Sequence, residues 1–71
     1  SSGSSSGGKN SVTGSVTSLD PSGVTIQTSS GSSYQFTWSG GDVPPLAPGD
    51  QVQISYETTS SGERKVTSVS K

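Results

Sequence analysis

An all-β domain, folded as a small closed or nearly closed barrel of five short strands, is what three features of the sequence predict. From Ser11 onward apolar residues recur at every second position, the period of a strand with one buried face. Clusters of glycine, proline and serine interrupt that rhythm at short intervals, as turns between strands do. No window carries the 3.6-residue period of a helix, and the prolines between residues 39 and 50 would break one. Closure follows because an open five-stranded sheet would expose two unpaired edges, and a ring exposes none.

The first strand runs from about Ser11 to Leu19, with Val12, Gly14 and Val16 on one face and then a change of phase to Leu19. A phase slip beside an internal glycine predicts a bulged, strongly coiled strand. Asp20-Pro21-Ser22-Gly23 is a turn, with proline presetting φ at its second position and glycine at its fourth. The second strand spans Val24 to about Ser29, with Val24 and Ile26 inward. Ser29-Ser30-Gly31-Ser32 closes a hairpin into the third, where Tyr34, Phe36 and Trp38 share a face opposite Ser33, Gln35 and Thr37.

Residues 39–50 hold three of the four prolines and make the long loop between strands 3 and 4, with one short helical turn expected near Val43 to Ala47. Val43, Leu46 and Ala47 are expected to plug one end of the core. Ala47-Pro48-Gly49-Asp50 launches the fourth strand, with Val52, Ile54 and Tyr56 inward. A Ser60-Ser61-Gly62 turn leads into the fifth, Glu63 to Ser70, in which Val66 and Val69 are again out of phase.

The chain has 71 residues, 23% of them apolar, so it can build one small core and no more. Polarity comes from hydroxyls: 19 serines and 8 threonines against nine charges and a net charge of −1. Such a composition suits a strand-rich exported protein. Residues 1–10 read as a flexible Ser/Gly-rich arm or linker and 11–71 as the domain. The arm fits an added linker, or the tether that follows a lipidated cysteine in exported bacterial lipoproteins.

Several function classes are excluded by what is missing. Without histidine or cysteine the chain lacks the usual groups for acid–base work near neutral pH, for thiolate attack and for zinc ligation, so a non-enzyme with no metal and no cofactor is expected. Four basic residues against five acidic ones cannot build the positive field that duplex nucleic acid requires. No apolar run reaches membrane-spanning length.

The series Val12-Thr-Gly14-Ser-Val16-Thr-Ser-Leu19-Asp20, Val24-Thr-Ile26, Tyr34-Gln-Phe36-Thr-Trp38, Leu46 through Pro48-Gly49-Asp50-Gln-Val52, and Val66-Thr-Ser-Val69 resembles two related groups. One is the periplasmic copper/silver efflux chaperone family; the other is a set of short exported bacterial domains of unknown function. The resemblance covers about residues 11 to 70 and implies an OB-like β-barrel in a periplasmic or extracellular protein, with a lipid anchor upstream as one form. It does not carry the family's metal chemistry. The family's histidine region falls on Gln27 and Thr28 and its methionine positions on Ser32 and Tyr34, so soft Cu(I) or Ag(I) has no matching ligands. Trp38 stands past those positions and does not replace the metal-facing tryptophan of the family.

Among candidate sites, the aromatic series is the most suggestive, because OB-type barrels bind single strands through aromatics in this region. Core packing competes with that reading: turning these residues outward would bury Ser33, Gln35 and Thr37 without partners. Phe36 is therefore assigned to the core, and Tyr34 and Trp38, with polar ends, to the barrel mouth. Asp20, Asp42 and Asp50 could attract calcium if they converged, but turn aspartates more often cap backbone N–H groups. Glu63-Arg64-Lys65 reads as protection of an edge-like strand.

The functional expectation is a non-enzymatic binding or structural module of an exported bacterial protein, acting through contacts with another protein or with the rest of a larger exported chain. Strand addition at an exposed edge would serve such a role. The alternative is a barrel that binds a small ligand or an oligosaccharide through Trp38 and Tyr34.

Overall fold

The computed structural model describes residues 10–71. Five strands form one sheet: β1 (Asn10–Leu19), β2 (Gly23–Gln27), β3 (Ser33–Trp38), β4 (Gln51–Thr58) and β5 (Arg64–Ser70). They close into a ring in the order β1-β2-β3-β5-β4. The long first strand makes closure possible, pairing through Asn10–Ser15 with β4 and through Ser15–Leu19 with β2. All pairings are antiparallel except the seam between β3 and β5, which is parallel and registers only Thr37↔Lys65 and Trp38↔Val66. No helix among the described residues is long and apolar enough to cross a membrane.

Both phase slips read from the sequence are bulges. In β1, Val16 pairs with Ile26 and Ser18 with Thr25, which leaves Thr17 as the extra residue. In β5, Ser68 pairs with Ser55 and Val66 with Tyr56, which leaves Thr67. Each extra residue is a threonine, and each hydroxyl donates to a carbonyl of the opposite strand: Thr17 Oγ1 to Thr25 O at 3.2 Å, and Thr67 Oγ1 to Ser55 O at 3.1 Å. A bulge takes a residue out of the ladder, and here the side chain replaces one of the missing bonds.

Val16, Val24, Ile26, Phe36, Val52, Ile54 and Val66 form the core, and Val12, Leu19, Tyr34, Trp38, Leu46, Tyr56 and Val69 pack partly buried around it. At two strand positions the main chain of the neighbouring strand comes so close that only glycine fits without a shift. A Cβ on Gly23 would collide with the Phe36 carbonyl oxygen, and one on Gly14 would stand 2.8 Å from that of Gln27.

Four sequence expectations need correction. Asn10 is the first residue of β1 rather than the last of an arm, because it pairs with Tyr56; the remainder of the arm, residues 1–9, lies outside the described residues. The second strand stops at Gln27, since Thr28 already belongs to the hairpin loop, donating its N–H to Ser32 O and accepting from Gly31 N–H. No helical turn forms at Val43–Ala47. Pro44 and Pro45 keep the chain irregular there, and Leu46 N–H turns back onto Pro44 O at 2.9 Å. Of the three intended plugs only Leu46 packs against the core, and Val43 and Ala47 are exposed.

Candidate functional site

Loops of one design flank one end of the ring. Thr28-Ser29-Ser30-Gly31 and Thr59-Ser60-Ser61-Gly62 share a sequence and a geometry. In each, the threonine carbonyl accepts from the glycine N–H at 2.9 Å, and the threonine hydroxyl accepts from the next N–H, that of Ser32 at 3.3 Å or Glu63 at 3.2 Å. Gly31 and Gly62 take φ of 100° and 94°, the left-handed conformation that follows a type I turn in a hairpin of this length. Because β3 and β5 run parallel, the two loops precede them at the same end.

Between the loops lie Tyr34 on β3, Tyr56 on β4 and Arg64 at the start of β5. Phe36 is the floor of this cluster: its ring is 6.4 Å from that of Tyr34, stacked, and 5.1 Å from that of Tyr56, tilted. The Arg64 guanidinium stands 5.6 Å from the Tyr34 ring centroid and 5.9 Å from that of Tyr56. Both distances are within cation–π range, so two rings hold one cation at the mouth. Arg64 precedes Val66 by two residues, and the strand period therefore turns it to the same side as that buried valine.

The seam beside this cluster is incompletely closed. Trp38 N–H donates to Ser22 O at 3.3 Å, so the even-numbered residues of β3 direct their main-chain groups to β2. By the alternation of an antiparallel ladder, Ser33, Gln35 and Thr37 direct theirs to the other side. Thr37 meets Lys65 there, and its hydroxyl donates to Arg64 O at 3.2 Å, whereas Ser33–Phe36 have no strand partner on that side. A cleft of about 300 Å³ opens along this edge, lined by Gln35, Thr37, Gly62, Glu63 and Arg64.

Trp38 belongs to the opposite end. Its indole N–H donates to Asp20 O at 2.8 Å, which ties β3 to the β1–β2 turn. Tyr34 and Trp38 are separated by four residues and roughly 13 Å of strand, with Phe36 between them, so they line two different mouths. A second cleft, of about 210 Å³, lies beside Trp38 and is bounded by Asp42, Pro44 and residues 66–69.

Asp20 and Asp50 hold their turns through main-chain atoms: Asp20 exchanges bonds with Gly23 at 2.9 and 3.2 Å, and Asp50 N–H donates to Ala47 O at 3.3 Å. Among the described residues no three His, Cys, Asp or Glu side chains converge. Gln27 and Thr28 stand at the β2–β3 loop, where Gln27 Nε2 reaches Gly31 O at 3.5 Å. Sequence reasoning passed over Tyr56 and Arg64 as site residues. The available signal was Arg64 itself, a charged residue two positions before an inward valine.

No family model, no curated protein and no solved structure matches this chain.

Proposed function

We propose that this chain is a non-enzymatic binding module of an exported bacterial protein, and that it works through protein–protein contacts made by strand addition at the free edge of β3. The observation that carries the reading is the parallel seam. It registers two residue pairs, where the other four pairings register between four and six. Main-chain groups at Ser33 and Gln35 are left without a strand partner, with Gln35 lining the adjoining cleft, and main-chain hydrogen bonding with an extended segment is the use to which such an edge lends itself.

The ring order, with β1 shared between β2 and β4 and a parallel closure, supports an OB-like barrel. The hydroxyl-rich composition supports export, and the absence of histidine and cysteine supports a role without catalysis. The resemblance to the copper/silver chaperones extends on this reading to fold alone.

A ligand-binding barrel is the second reading, favoured by the cleft that Trp38 and Asp42 line together. It would use Trp38 without Tyr34. Titrating the labelled protein with extended hexapeptides and, separately, with oligosaccharides while following amide and indole shifts separates the two. Peptide-induced shifts at residues 33–36 are expected. Shifts confined to Trp38 and the β3–β4 loop, produced by a sugar, would replace the first reading with the second.

A further inference from the structure

We infer that the β3 edge takes the C-terminal end of a polypeptide, running parallel to β3 and delivering its terminal carboxylate to Arg64. The inference rests on the strand-addition reading and names its occupant.

Direction comes from charge. Carried one residue beyond Thr37↔Lys65, the parallel register sets Arg64 level with Phe36, at the downstream limit of the free edge. A guest strand lying along Ser33–Gln35 must therefore stop at Arg64, because β5 occupies the positions beyond. Running parallel, the guest ends there with its carboxylate; running antiparallel, it would place an ammonium against the guanidinium. The first arrangement is attractive and the second repulsive.

The guanidinium is also prepared for that contact. Its central carbon stands over the rings of both Tyr34 and Tyr56, which restrict where the side chain can go, and a guanidinium can bond a carboxylate with two parallel N–H groups. The neighbouring charges do not supply the same contact. Lys65 is registered across the β4–β5 ladder with Glu57, so its charge has an acidic neighbour. Glu63 lines the cleft with Arg64 and opposes an incoming carboxylate, which makes its removal informative.

The probe is the hexapeptide Lys-Lys-Thr-Val-Thr-Val, with a free C-terminus or as the amide, titrated into the full 71-residue chain and followed by amide shifts. The free acid is expected to shift Ser33, Gln35 and Arg64 and to bind about tenfold or more tightly than the amide, the range of one charge-assisted bond. Arg64→Gln should abolish the preference for the acid, and Glu63→Gln should strengthen binding of the acid alone. Unchanged spectral dispersion in both variants shows that they fold. A spin label on the peptide N-terminus should broaden the Thr28–Ser32 loop and spare Lys65. Equal binding of acid and amide at residues 33–36, or broadening centred on Lys65, overturns carboxylate capture and leaves strand addition standing. Absence of any shift at residues 33–36 with either peptide overturns both.

Discussion

The indole N–H of Trp38 donates to the main-chain carbonyl of Asp20 at 2.8 Å, across the end of the ring where the β1–β2 turn meets β3. That oxygen also accepts from Gly23 N–H, so one acceptor serves the turn and the neighbouring strand end. The largest side chain of the protein thus contributes a specific bond as well as apolar area.

Trp38→Phe keeps much of the area and loses the bond. Stability should fall by about 1 kcal/mol, with a lower urea midpoint and an unchanged slope. Unaltered stability would mean that water satisfies both groups equally well.

Thr17→Val and Thr67→Val preserve shape and remove the hydroxyls that mend the two bulges. Each should cost about 1 kcal/mol, and the double variant should show the sum, because the sites lie in different strand pairs and share no partner. Equilibrium denaturation of the four proteins completes the cycle, and strong coupling would contradict independent bulges.

Gly23→Ala should destabilise more than Gly14→Ala. The first new methyl meets the Phe36 backbone carbonyl, and the second meets the Gln27 carbonyl less closely and the movable end of Ile26. Losses of roughly 1–3 kcal/mol are typical of overpacking, a large share of what a domain of this size holds. Thermal unfolding would give the ranking.

Phe36→Leu tests whether the aromatic floor holds the Arg64 cluster. Loss of the ring under Tyr34 and Tyr56 should cost about 1–2 kcal/mol and broaden the Arg64 side-chain signals, since the two tyrosines would no longer be held in one arrangement. Sharp, unmoved Arg64 resonances would show that the tyrosines position the cation alone.

Cu(I) or Ag(I), added under reducing conditions, should leave the amide shifts of Gln27, Thr28, Ser32 and Tyr34 in place. These side chains offer oxygen and amide donors where soft metals need sulfur or imidazole. Stoichiometric shifts there would reverse this expectation.

Much of the fold was legible because it is written in local chemistry. The alternation of Val24 and Ile26, of Tyr34, Phe36 and Trp38, and of Val52 and Ile54 determined which face each strand buries. The slips at Leu19 and Val69 announced bulges, and Asp20-Pro21-Ser22-Gly23 announced its turn. Less legible was the stretch around Pro44 and Pro45, where a helical turn and an irregular loop share one composition, and packing alone selected Leu46 over Val43.

The candidate site depended on relationships the sequence does not encode locally. Periodicity assigns Tyr34 and Trp38 to one face but cannot say that Phe36 divides them between two mouths, and it treats Arg64 as part of a charge run. Only ring closure brought β5 alongside β3, set the parallel register that ends at Thr37, and placed Arg64 over rings from two other strands. Side-chain alternation is a property of one strand. Which strands become neighbours, and how far they pair, is decided by how five such faces enclose a single core.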